Sequence, residues 1–248
     1  MNLSSIYPGI KTAITAFIPA YSHLDRFTGR QLPPPILGTG FFINSHGLLV
    51  TNAHVADTFQ NFASSSNVHK KIKGIIFQHS KGRVKKIILN IKNIIRIDDT
   101  YNTSKKPDIA FVETDLDNSS FLELMSEETE LIEGMEIATS GFPTGRNSLL
   151  GPEGYIQISP TLQRGIISAI LPYPKKEPDA FSVNIMTHGG ASGSPVFFTD
   201  TGKVAGILFS VLTDLSFSSD NNIQATPTSI SYAIPAHQIK KALKKIDL

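Results

Sequence analysis

Short apolar runs rich in Ile, Val, Phe and Thr alternate with clusters of Gly, Pro, Asn and Asp along nearly the whole chain. Runs of this length bounded by turn formers read as β-strands. The N-terminal half holds AITAFIPAY, TGFFI, LLVTN, KGIIFQ, VKKIILNIKNIIRI and DIAFVE. The C-terminal half holds EIATSGF, GYIQIS, RGIISAIL, AFSVNIM, SPVFF, VAGILFSVL and SYAIP. About a dozen strands with turns between them predict an all-β barrel protein. The first strand is expected over Lys11 to Tyr21. Helical spacing is confined to two places. VADTFQNF, after His54, predicts a turn or two. PAHQIKKALKKI puts Ile239, Ala242, Leu243 and Ile246 on one face, predicting an amphipathic helix over 236–247. Its lysines cluster toward the end where the helix dipole favours cations.

Two stretches read as connectors. RFTGRQLPPP, residues 26–35, is expected to be an extended loop, because consecutive prolines forbid regular ladder pairing. Residues 119–130 are expected to carry the chain between two barrels, an N-terminal one over about 10–118 and a C-terminal one over about 131–235. The length of 248 residues suits two barrels sharing one interface. The lysine-rich run from Lys70 to Lys92 alternates with Ile, Val and Leu. It reads as an outward row that opposes edge-to-edge pairing rather than as a nucleic-acid patch, and a net charge of +2 agrees. No stretch approaches the ~18 uninterrupted apolar residues of a membrane span. The N-terminus lacks the basic start and cleavage pattern of a signal peptide. The chain has no cysteine, which removes disulfides and thiolate chemistry and fits a reducing compartment. Neither nucleic acid nor membrane is expected as a partner, and the expected location is cytoplasmic.

Chemistry concentrates in GGASGSP, Gly189 to Pro195, a glycine-rich loop with Ser192 at its centre. Glycines let successive N–H groups converge on one point, and a serine beside such donors has what acyl transfer needs. A serine also requires a histidine to take its proton and a carboxylate to orient that histidine. His54, after LLVTNA, and Asp108, leading into IAFV, supply one candidate each. The order His54, Asp108, Ser192 distinguishes this arrangement from two other known orders of the same triad. Asp98, Asp99, Asp115 and Asp117 read instead as loop acids, and His46 as turn chemistry.

TNAHV, DIAFVE and GASGSP resemble the catalytic segments of trypsin-like serine peptidases, particularly the bacterial HtrA-type and glutamyl-endopeptidase branches. GMEIATSGFPTG, RGIISAI and SISYAIP resemble, in turn, the opening of the second barrel, the strand before the nucleophile loop and the last strand before the C-terminal helix. The resemblance implies two antiparallel six-stranded barrels and a serine endopeptidase using His54, Asp108 and Ser192, with no metal or cofactor. It implies an oxyanion hole made by the N–H groups of Gly190 and Ser192. Substrate contacts are implied at Met186, Thr187, His188, Phe209, Ser210 and Val211, and the residue N-terminal to the cleaved bond is expected to be uncharged. Nothing past residue 235 has the length of the PDZ module common in HtrA-type proteases. Digestive relatives carry an aspartate just before the serine that pairs with a freed N-terminus; here it is Ala191, so activation by N-terminal cleavage is not expected. The expected partner is a polypeptide substrate, and room is left for an activating or targeting protein. The alternatives are a catalytically silent peptide-binding module and an esterase.

Overall fold

Apolar and polar alternation resolves into two closed antiparallel barrels. The computed structural model describes residues 2–20, 23–24, 31–32, 34–61, 71–80, 83–97, 107–149, 159–217 and 223–246. The first barrel joins β1 (Ile14–Pro19), β4 (Gly38–Phe42), β5 (Leu48–Thr51), β8 (Ala110–Thr114), β7 (Arg83–Arg96) and β6 (Ile72–Ser80) in that spatial order. A two-residue ladder, β2 (His23–Leu24) with β3 (Gln31–Leu32), lies between β1 and β4 in sequence. The second barrel joins β10 (Thr161–Leu171), β11 (Ala180–Val183), β14 (Ile223–Pro235), β13 (Val204–Phe217), β12 (Pro195–Phe198) and β9 (Glu136–Gly141). Closure leaves each barrel strand with neighbours on both sides over part of its length, and the strands that overshoot the barrel keep one open edge beyond it.

Inward positions build the cores. Phe17, Phe42, Leu49, Ile76 and Val112 pack together within the first barrel, and Ile137, Ile167, Phe181 and Val196 within the second. A third cluster draws Phe41, Val50 and Phe111 from one barrel and Phe142, Phe197 and Ile207 from the other, so the barrels share a continuous apolar seam. The connector between them is hydrogen-bonded to each side: Leu122 N–H donates to Phe42 O at 2.9 Å, and Met125 N–H to Val204 O at 2.9 Å. The C-terminal helix α3 (Ala236–Lys245) buries Ala236, Ile239 and Ala242. On β7, Arg83, Lys85, Lys86 and Lys92 are exposed while Leu89 and Ile91 are buried, the outward row expected from the alternation.

The N-terminus differs from expectation. Strand β1 starts at Ile14, after helix α1 (Leu3–Ile10) and a 3-10 turn over Lys11–Ala13. Asn2 caps the helix, its side chain accepting from Ser5 N–H at 3.0 Å. Leu3, Ile6, Tyr7 and Ile10 fall on one helical face and join the apolar seam. Pro8 lies inside this helix on its exposed side, as does Ser4 one turn earlier. Although α1 precedes the first barrel, it docks on the second: the Tyr7 hydroxyl donates to Pro160 O at 2.9 Å and lies 2.9 Å from Ser140 Oγ. Burial pushes the Tyr7 hydroxyl pKa up. A second correction concerns the strand leading into the Ser192 loop, which is β11 rather than Arg164–Ile170, part of β10. Tyr21, Asp98, Asp99, most of GYIQIS and much of 26–35 lie outside the described residues.

Candidate active site

His54 sits in the first turn of α2 (Ala53–Asn61), directly after β5. The first N–H groups of a helix have no partner within it and carry the positive end of its dipole. Asp108 occupies that position from the segment before β8. Its Oδ1 accepts from His54 N–H at 2.8 Å and its Oδ2 lies 2.6 Å from His54 Nδ1. One carboxylate therefore caps the helix and grips the ring. A carboxylate only accepts at neutral pH, so Nδ1 carries the ring proton and Nε2 is left as an acceptor. The Asp108 side chain is 27% exposed and that of His54 45%, so the carboxylate is held by two donors rather than by full burial. Asn52, fully buried, steadies the segment: its Nδ2 donates to Asp108 O at 3.0 Å.

Ser192 lies in the loop between β11 and β12. Within this loop Ala191 N–H donates to His188 O, Ser194 N–H to Ala191 O and Gly193 N–H to Leu208 O, each at 3.0 Å. From Gly190 to Ser194, only the N–H groups of Gly190 and Ser192 make no hydrogen bond among the described residues. Gly190 has φ +97° and Gly193 φ +88°, conformations that admit glycine and strain other residues. The loop is fastened to the first barrel through Thr39. Thr39 N–H donates to Ser192 O at 2.9 Å, and its Oγ1 donates to Gly190 O at 2.8 Å while accepting from Phe142 N–H at 3.3 Å. Thr39 O in turn accepts from Thr51 Oγ1 at 2.7 Å, three positions before His54. Ser192 Oγ makes no hydrogen bond among the described residues.

A cavity of about 270 Å³ adjoins Ser192, walled by Thr187, His188, Phe209, Ser210 and Val211. Five of the six expected substrate contacts thus meet in one place. Met186 does not line it and is 47% exposed. A larger concavity of about 550 Å³, between Met125, Met135 and Phe198, includes none of His54, Asp108 and Ser192. The other acids point elsewhere: Asp115 binds the Asn90 backbone N–H at 2.8 Å, and Asp117 lies 3.4 Å from His46. Thr39 and Asn52 escaped notice in the sequence, where nothing marks one Thr or Asn among many. The only available signal was their place in GTG and TNAH.

Two six-stranded barrels, with a histidine–aspartate pair on one and a glycine-rich serine loop on the other, define the chymotrypsin-like fold. The chain belongs to the trypsin-like peptidase family: the model of a trypsin-like peptidase domain matches residues 38–207, a span that includes His54, Asp108 and Ser192. Among curated proteins it is similar to the mouse (Mus musculus) peroxisomal leader peptide-processing protease. That match is 31% identical over 86 residues, 35% of this chain and 14% of the mouse protein. Among solved structures, the HtrA-type protease AlgW with a decapeptide matches at TM-score 0.58 and 19% identity, covering 99% of this chain and 68% of that one. A variant of AlgW with a tripeptide matches at TM-score 0.60 and 17% identity, covering 99% of this chain and 64% of that one. The chain thus spans a small part of the mouse protein and about two thirds of the AlgW chains.

Proposed function

We propose that this protein is a serine endopeptidase. The observation that carries the reading is the doubly bonded His54–Asp108 pair, which commits Nδ1 and leaves Nε2 free as a base. Ser192 Oγ attacks the carbonyl carbon of the cleaved bond and gives its proton to His54 Nε2. The carbonyl oxygen, now negative, is received by the unpaired N–H groups of Gly190 and Ser192. His54 then protonates the departing amine as the C–N bond breaks. A water repeats the sequence on the acyl-serine, its proton passing through His54 to the Ser192 oxygen. Asp108 stays ionised and stabilises the imidazolium. In this scheme the Ser192–His54 hydrogen bond forms on substrate binding, because catalytic hydrogen bonds are often completed only in the substrate complex.

The cavity beside Ser192 suits an uncharged side chain. Ser231 Oγ donates to Ile185 O at 2.7 Å, so the 2.8 Å contact with Thr187 Oγ1 has Thr187 as donor. Thr187, buried in the cavity wall, has no proton left to offer a carboxylate. No acidic side chain lines the cavity, and burying a lysine or arginine unpaired is costly. The test is a fluorophosphonate probe with a peptide library. Ser192 is expected to be labelled, with cleavage mainly after uncharged residues. No labelling of folded protein supports the silent binding module and overturns the proposal; labelling with ester but not peptide hydrolysis makes it an esterase.

Thr39 is a positioning residue in this scheme. Its hydroxyl holds the Gly190 carbonyl and its N–H holds the Ser192 carbonyl, so it fixes the two residues whose N–H groups form the proposed oxyanion hole. Thr39→Val removes the hydroxyl at nearly constant volume. It is expected to lower kcat by about ten- to a hundredfold, below the loss of a whole oxyanion donor, with KM little changed. Thr39→Ser should restore most of the rate. Equal losses in both variants, or a loss confined to KM, would remove Thr39 from the scheme.

A further inference from the structure

Each barrel carries a hairpin that overshoots its neighbours. In the first barrel, β7 pairs only with β6 from Arg83 to Leu89 and meets β8 from Ile91 onward. In the second, β13 pairs with β12 over Val204–Ile207, and Leu208 closes against Gly193 and Ser194. From Phe209 to Phe217 one edge of β13 faces β14, and the other has no partner among the described residues. The open edges of β7 and β13 differ in chemistry. Arg83, Lys85 and Lys86 guard the first, and positive charge on an edge opposes the addition of another strand. The second reads FSVLTDLSF, without lysine, arginine or proline and with Asp214 as its one charge. Its aromatic and β-branched residues favour pairing.

Position decides what pairs there. The open edge begins at Phe209, Ser210 and Val211, the residues that wall the cavity beside Ser192, and runs away from it. A peptide with its side chain in that cavity turns its carbonyl toward Ser192 and Gly190. The chain that continues along β13 is therefore the part N-terminal to the cleaved bond. We propose that β13 beyond Val211, over Leu212–Phe217, captures the distant upstream stretch of a polypeptide substrate as an added antiparallel strand. The preferred substrate is then an extended, unstructured segment of about eight or more residues before the cleaved bond, at one substrate residue per strand residue. This rests on the reading of Ser192 as nucleophile. Register shifts at Leu208/Ser210 and Val211/Thr213 bend the strand, and Thr228 Oγ1 fixes the second bend by donating to Leu212 O at 2.9 Å. The outer segment is thus set at its own angle, and its contribution appears as a separate rise with peptide length.

The test uses acetylated peptides ending in Val-Leu-aminocoumarin with two, four, six and eight further Ser/Thr/Val residues upstream. In the full chain, kcat/KM is expected to rise about tenfold or more between four and eight, at about two- to tenfold per added hydrogen bond. Replacing Leu215–Ala225 by Asn-Gly, which joins the already paired Asp214 and Thr226, should remove most of that second rise and leave the shortest peptide unaffected. The double substitution Thr213→Lys, Ser216→Lys should do the same without altering the loop. A flat profile with efficient cleavage, or a rise that survives both variants, overturns the proposal. Binding of the same peptides to Ser192→Ala separates the two readings. If no probe labels Ser192 but affinity still grows with length, the catalytic reading fails and the edge stands.

Discussion

Ser192→Ala is expected to reduce peptide hydrolysis by on the order of 10⁴–10⁶-fold with little change in Tm, the scale on which serine–histidine–aspartate units lose rate. The side chain is only partly buried and its Oγ makes no hydrogen bond among the described residues, so its removal costs the fold little. His54→Ala should fall in the same range. The double variant should be scarcely slower than either single one, because the serine without its base is as inert as no serine. Asp108→Asn should reduce the rate by about 10⁴-fold, because the amide can donate to Nδ1 and trap the wrong tautomer. Steady-state kinetics, active-site labelling and thermal unfolding on the same preparations check all four. Retention of activity in Asp108→Ala, with its loss in Asp115→Ala, would assign the orienting acid elsewhere.

Gly193→Ala is expected to be nearly as damaging, by another route. Gly193 has φ +88°, a region that costs other residues roughly 1–2 kcal/mol. A methyl group there would also overlap the carbonyl oxygen of Thr39 and crowd Thr51 Oγ1. The obstacle is backbone of the other barrel, itself tied into β4, so it cannot swing aside as a flexible side chain would. Either the loop leaves its place or the barrels part. Expected results are a loss of about 4 kcal/mol or more in stability, the range reserved for backbone strain combined with overpacking, and failure of fluorophosphonate labelling even in the folded fraction. Normal labelling and an unchanged denaturation midpoint would show that the Thr39–loop contact is looser than the geometry indicates.

Much of this arrangement was legible in the residues. Strand alternation led to the barrels because both are antiparallel with one face buried, the case in which period-two patterning is clearest. His54, Asp108 and Ser192 stood out because each sits at the edge of a short apolar strand, where chain direction and polarity change together. The helix α1 is hard to see in the sequence because Pro8 interrupts the spacing of Leu3, Ile6, Tyr7 and Ile10 and because its docking face belongs to residues far along the chain. Thr39 was missed for a related reason. Its partner Gly190 lies 151 positions away, and no local pattern announces a hydroxyl that bonds backbone of the other barrel. The carboxylate cap on α2 was half visible: the Asp108–His54 pairing followed from chemistry, its second bond only from three dimensions.

The fastening of the Ser192 loop by Thr39 has a consequence for the life of the chain before it is complete. Synthesis delivers the first barrel early, bearing His54 and Asp108, while Ser192, the proposed nucleophile, is still to be made. When the last strands emerge, the loop completes its bonding against the surface of β4. On the reading of His54, Asp108 and Ser192 as a triad, a half-finished molecule, or one whose barrels have come apart, is expected to be inactive. On the catalytic reading, competence then rests on the seam between the barrels, where Thr39 meets the Ser192 loop.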